Sequence, residues 1–248
     1  MANLLATRRL HLTLRRQNET LETRVRERTQ SLEQARLEVI DPLALAAEYR
    51  DDDTNEHAQR VGRTAALLAR ELGVQDEQIE LIRRAAPLHD IGKIGIPDAI
   101  LLKRGRFTPS EIVLMQHHVE IGASILGGSR SPLLQLAEEI ARTHHERWDG
   151  RGYPRRLRAD QIPPAGRLVA LADVFDALTH RRPYKEAFAL DLAIAEIEML
   201  RGTHFDPQVV DAFAALDRPA LLAPIEHHRP PSEPPVAPTL TAAEPFDL

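Results

Sequence analysis

"SPLLQLAEEIARTHH", residues 131–145, decides the fold. Ser131 and Pro132 open it in the way helices start, its apolar residues recur at helical spacing, and it runs directly into two adjacent histidines, His144 and His145. Other segments repeat the device. "FTPSEIVLMQHH" (107–118) offers Thr108 as N-cap, Pro109 at the first helical position and Glu111 completing a capping box, and "FDPQVVDAFAAL" (205–216) offers Asp206 and Pro207. The helix bearing Val61, Ala65, Leu68 and Leu72 is expected to stop at Gly73, and the one bearing Leu190, Ile194, Ile197 and Leu200 at Gly202. No alternating strand pattern lies between them, so an all-α body is expected over residues 42–217.

Two segments flank this body. From Leu14 to Val39 a 4-3 spacing links Leu14, Asn18, Leu21, Val25, Arg28, Leu32, Ala35 and Val39, as in a heptad seam. Residues 1–41 are therefore expected to form one long coiled-coil-like signalling helix that pairs with a second copy as a parallel homodimer; the alternative is an amphipathic helix lying on its own domain. Residues 218–248 are read as a disordered tail, because the last thirty residues hold eight of the 18 prolines.

Composition narrows the chemistry. With 43% apolar and 28% charged residues the 248-residue chain can bury a real core, while a net charge of −5 gives no basic footprint for a nucleic acid polymer. The absence of cysteine excludes disulfides, thiolate metal sites and cysteine nucleophiles, so any metal must bind through nitrogen and oxygen. No stretch approaches about 18 uninterrupted apolar residues, so no membrane span is expected and the protein is placed in the cytoplasm.

More than half of the 11 histidines lie between His57 and His145, most beside an acid or another histidine. His89 and Asp90 sit in the apolar "AAPLHDIGKIGIP", and Asp173 in "LVALADVFDAL", where a bare carboxylate faces a heavy desolvation cost unless it is paired or metal-bound. If their stretch is helical, Asp53 and His57 project from one face, and His118 adds an imidazole. One buried histidine is ordinarily a hydrogen-bonded core residue, but this many together suit two or three divalent ions on imidazole and carboxylate.

"HDIGKIGIPD", "HHERWDGRGYP" and "ADVFDALTHRRPYK" resemble, in order, the signature motifs of the HD-GYP family of HD-domain metal-dependent phosphohydrolases, a match running from about Ala46 to Leu216. The resemblance implies a helical HD-domain bundle that hydrolyses the bacterial second messenger cyclic di-GMP. It places the metal ligands on His57, His89, Asp90, His118, His144, His145 and Asp173. Gly122, four residues on, selects His118 over His117, and Asp53 stands where an acid, commonly glutamate, serves a third metal. His89, Asp90 and Lys93 are implied catalytic residues, with Lys93, Arg182 and Lys185 holding substrate phosphate. Asp149, Gly150, Gly152, Tyr153 and Pro154 form the GYP loop, and Trp148 either stacks on guanine or packs at the loop base. The implied metals are iron or manganese. The implied reaction is attack of hydroxide on phosphorus, departure of the 3′ oxygen and release of pGpG, with or without further cleavage to GMP. Implied partners are a diguanylate cyclase (GGDEF) domain or an upstream sensory domain. Two alternatives stand beside this reading: a cyclic di-GMP sensor or scaffold, and an HD hydrolase of another cyclic dinucleotide.

Overall fold

A computed structural model describes residues 2–49, 56–180 and 187–222. In chain order they form α1 (Ala2–Tyr49), α2 (His57–Glu71), α3 (Asp76–Ala85), α4 (Asp98–Leu101), α5 (Pro109–Gln116), α6 (His118–Leu126), α7 (Pro132–Thr143), α8 (Pro164–Thr179), α9 (Leu190–Met199), α10 (Pro207–Ala215) and α11 (Arg218–Leu222). Short 3-10 turns cover Ala86–Leu88, Ile91–Gly95 and Ala159–Gln161. There is no β-strand among the described residues; Arg201 and Phe205 make only an isolated bridge. The all-α expectation holds.

The apolar spacing of each helix decides its neighbours. In α2, Val61, Ala65 and Leu68 are fully buried against α3 and α8, whereas Leu72, expected on the same stripe, is 40% exposed because the helix ends there. α7 packs on α6, α3 and α8, and α10 closes against α2. The shared core includes Leu134, Ile140, Leu171, Ile197 and a Phe175–Phe213 pair with ring centroids 5.0 Å apart. Burying each such side chain stabilises the fold by roughly 1.5–3 kcal/mol, and this holds four helices close enough to share one polar centre.

The helix ends follow the expected local chemistry. The Glu111 amide donates to Thr108 Oγ1 at 3.3 Å and the Thr108 amide to Glu111 Oε2 at 2.7 Å, completing the capping box. Asp206 accepts from the Gln208 amide at 2.8 Å, while Ser131 caps α7 by position only, without a side-chain hydrogen bond. After α2, Gly73 sits at φ +74°, its amide bonding Arg70 O and the Val74 amide bonding Ala69 O, which is the Schellman arrangement.

Both flanks depart from simple readings. α1 continues through Pro42 to Tyr49, beyond the expected boundary at 41, and packs against the turn Ile91–Gly95. Its seam does not lie on the domain over its described positions: Leu14, Leu21, Val25 and Leu32 are 50–71% exposed. The tail read as disordered from residue 218 instead begins with α11. Leu221 is buried there, its carbonyl accepts from Arg63 at 2.7 Å, and Arg218 pairs with Asp191. The apolar anchor after Pro219 outweighs the local proline signal. Residues 223–248 lie outside the described residues, as do Asp53, Arg182 and Lys185.

Candidate metal centre

Asp90 stands at the middle of the site, between the 3-10 turns Ala86–Leu88 and Ile91–Gly95. What brings it to α6 is Gly92. A Cβ there would lie 1.9 Å from His118 O and 2.4 Å from the Gly122 amide nitrogen, so only glycine lets this turn lie flat on α6. Asp90 Oδ1 consequently falls 3.3 Å from His118 Nε2 and 3.6 Å from His144 Nε2, while Oδ2 lies 3.4 Å from His89 Nε2 and 2.8 Å from Lys93 Nζ.

Two groups of donors share that carboxylate. Donor atoms of Asp90, His118, His144 and His145 lie within 4.8 Å of one another, and so do those of His57, His89 and Asp90. Asp173, on α8, lies on the second side, its Oδ1 3.4 Å from His57 Nε2. All seven ligands implied by the motifs are thus brought into one centre. His117 is exposed whereas His118 is buried, so the structure separates the two neighbours as the motif does.

The donors are oriented, not merely adjacent. Nδ1 of His89 bonds Ala86 O at 2.9 Å, that of His118 bonds Met115 O at 2.7 Å, and that of His144 bonds Ile140 O and Ala141 O, each at 3.1 Å. A carbonyl only accepts, so each Nδ1 carries the proton and each Nε2 lone pair faces inward. There, Nε2 of His89, His118 and His144 and Oδ1 of Asp90 are buried with no hydrogen-bond partner. Four orphaned polar atoms in one buried cluster would be costly in an empty protein interior, and divalent cations held by the two donor groups would satisfy them. The donor set therefore fits divalent metal binding.

The electrostatics agree. Burial, reinforced by His144, holds His145 well below its usual value, and burial pushes His118 down to about 4, so both imidazoles are neutral ligands at pH 7. Burial alone would also depress His89, yet the Asp90 carboxylate overcomes it and pushes His89 up to about 9, so a cation bound beside Asp90 must displace the Nε2 proton before His89 can serve as a ligand. Asp90 itself, despite burial, is held well below the carboxylate range by Lys93 and His89. Its carboxylate is therefore ionised and suited to hold a cation on the side where the donor atoms point.

Several participants escaped sequence reasoning. Asp176, one helical turn beyond Asp173, accepts His57 Nδ1 at 2.7 Å and the Arg60 guanidinium at 2.6 and 3.0 Å, which turns His57 Nε2 toward Asp173. His180 also pairs with it, at 3.1 Å. Its signal was a second acid at i+3 within the same apolar run. Buried Glu146 receives the amides of Arg155 at 2.7 Å and Leu157 at 2.9 Å and so ties the GYP loop to the His144–His145 turn. Gly152 presses on that turn: a Cβ would lie 2.4 Å from the Arg147 nitrogen. Gly150 adopts φ +78°, Asp149 is clamped by Arg147 at 2.9 and 3.2 Å, and Tyr153 stacks on His145 at 4.7 Å, before exposed Pro154. Trp148 carries the Arg167 guanidinium 5.2 Å over its ring.

Comparison with known proteins agrees with this geometry. The profile of the HD domain matches residues 43–209. A cyclic di-GMP phosphodiesterase of Thermotoga maritima is 52% identical over 181 residues, covering 73% of this chain and 49% of that protein. A 3′3′-cGAMP-specific phosphodiesterase 2 of Vibrio cholerae is 45% identical over 174 residues, covering 70% of this chain and 33% of that protein. The chain thus spans between a third and a half of the length of these curated relatives. A crystal structure of a Vibrio cholerae cyclic GMP-AMP specific phosphodiesterase superposes with a TM-score of 0.50 at 18% identity, covering 69% of this chain and 46% of that one, and shares the fold. No helix among the described residues is long and apolar enough to cross a membrane. With its candidate donor atoms gathered around the His89–Asp90 pair, the chain belongs to the HD-domain family and carries the HD-GYP signature within it.

Proposed function

We propose that this chain is a metal-dependent phosphodiesterase that hydrolyses cyclic di-GMP to linear pGpG in bacterial second-messenger signalling. The observation that carries the proposal is the set of orphaned, inward-facing atoms of His89, Asp90, His118 and His144. In this reading His57, His89, Asp90 and Asp173 serve one ion and Asp90, His118, His144 and His145 a second, with Asp53 available to a third. Nitrogen and oxygen donors without thiolate suit iron or manganese. Bound ions would supply water activation and Lewis-acid stabilisation of phosphoryl displacement.

The chain's own residues do the rest. Lys93, held 2.8 Å from Asp90, is placed to neutralise charge developing on a phosphate, and Arg182 and Lys185 are assigned from their motif to hold substrate phosphate. The exposed seam of α1 supports a homodimer, and the helix is the route by which an upstream sensory domain or a GGDEF partner would act on a cytoplasmic enzyme. A relative named for 3′3′-cGAMP at 45% identity favours, as second reading, hydrolysis of another cyclic dinucleotide.

The test is anaerobic purification, loading with iron(II) or manganese(II), and chromatography of products from cyclic di-GMP and from 3′3′-cGAMP beside an Asp90→Ala control. Formation of pGpG by the intact protein alone is expected, and GMP in the same trace would reveal a second cut. Preferential turnover of 3′3′-cGAMP would replace the substrate assignment. Binding without turnover by the loaded protein would make it a sensor.

A further inference from the structure

We propose that the exposed arginines of the 146–158 loop, centred on Arg156, form an electrostatic capture surface that draws an anionic cyclic dinucleotide into the metal centre. The inference rests on the phosphodiesterase reading and adds to it a second, cation-based step outside the ligand shell. Between Glu146 and Arg158 stand five arginines against two carboxylates, in a chain whose net charge is −5. The carboxylates are already engaged. Asp149 is clamped by Arg147, and Glu146 is buried against backbone amides. Arg151, Arg155, Arg156 and Arg158 are exposed, and no acid forms an ion pair with the guanidinium of Arg155 or Arg156 among the described residues.

Among the arginines of the loop the backbone sets Arg156 apart; Ala159, just beyond the loop, shares its left-handed conformation at φ +49°. Arg156 sits at φ +55°, a left-handed conformation that a Cβ disfavours and glycine adopts freely. The buried Glu146 carboxylate fixes the amides on either side of it, at Arg155 and Leu157, so the conformation is imposed from the site outward. The same loop meets the metal centre directly, through the Tyr153 amide on His145 O at 3.2 Å and the Tyr153 ring stacked on His145. Arg156 therefore stands three residues from a ring that touches a candidate ligand, its backbone held and its side chain in solvent. Glycine would meet the same backbone requirement at lower cost, and a strained residue beside a reactive centre points to a role for its side chain.

That side chain is a planar donor fork suited to phosphate oxygens. A cyclic dinucleotide carries two phosphodiester charges, and the net charge of the chain repels it at a distance. Five arginines on the loop that contacts His145 oppose that repulsion locally. Capture acts on encounter, so it governs kcat/KM and its salt dependence more than kcat.

The metal-loaded full chain is compared with Arg156→Gly and with the double variant Arg155→Glu/Arg156→Glu, at low and high ionic strength. Arg156→Gly is expected to raise Tm by about 2–4 °C while lowering kcat/KM about three-fold. The double variant is expected to lose about ten-fold or more in kcat/KM at low salt, with the difference shrinking toward about 1 M salt and kcat changing much less. The Kd of a phosphorothioate analogue of cyclic di-GMP is measured in parallel. An unchanged kcat/KM, salt slope and Kd in the double variant would overturn the capture surface while leaving the enzyme assignment intact. A wild-type protein that turns over no cyclic dinucleotide removes the assignment, and the Kd series then decides capture: weaker binding by the double variant supports it, and equal or absent binding overturns it.

Discussion

At the scale of single residues, the site works because its donors are oriented by partners that never face the centre. Asp176 is the clearest case: it fixes the proton of His57 on Nδ1 and is itself held, against burial, well below the carboxylate range by His180, His57 and Arg60. Asp176→Asn keeps the size but turns one acceptor into an NH2 group facing donors on His57 or Arg60. Removing such an outer partner costs about 10–100-fold in metal affinity. The expected outcome is one ion fewer per chain after dialysis against a mild chelator, measured by elemental analysis, with helical content unchanged. Retention of the full wild-type metal content would remove Asp176 from this role. The candidate ligands themselves were legible because acids and histidines in apolar runs demand explanation. Asp176 and Glu146 were not, because each reads in sequence as one more charge inside a motif, and only the folded chain shows which backbone or ring it serves.

At the scale of elements, caps and breakers were readable because their causes are local. Gly73 ends α2 in the left-handed region, and a Cβ added there would meet nothing within 4 Å, so Gly73→Ala isolates the backbone cost. A loss of about 1 kcal/mol in unfolding free energy is expected, without change in metal content. The α5 cap supplies a pH test. Lys103, foremost, and the Thr108 amide hold Glu111 down to about 2 from its usual 4.5. A depressed native value means the contribution is complete above the unfolded value and is lost as pH falls from 4.5 toward 2. Glu111→Gln should therefore flatten the acid side of the stability profile while changing the neutral side less steeply with pH, as read from urea midpoints between about pH 2 and pH 7. A profile parallel to wild type would show that the cap does not titrate as its contacts imply. α11 stayed hidden for the opposite reason: its proline argues locally for a break, and its stability comes from Leu221 reaching a core built by residues far earlier in the chain, Arg63 among its contacts.

For the molecule as a whole, sequence could list the candidate ligands but not their grouping. That Asp90 serves both groups, and that Asp173 joins His57, follows only from four helices closing on one core. The same view gives α1 its meaning. The helix leaves Leu21, Val25 and Leu32 57–71% exposed along one seam, yet packs against the Ile91–Gly95 turn that carries Lys93 and follows Asp90. If the exposed seam pairs with a second copy, a helix that also packs on the turn carrying Lys93 is able to pass a change in pairing to the site, since the Gly92 contact leaves that turn no slack against α6. Replacing Leu21, Val25 and Leu32 with glutamate puts like charges across the seam of the proposed parallel pair and should convert that dimer to a monomer in sedimentation equilibrium. If α1 controls the turn, the monomer should also change kcat by several-fold while its metal content stays at the wild-type value. A monomer with unchanged kcat would leave α1 as a dimerisation helix without control over the site. A variant that stays dimeric would show that the seam is not the interface.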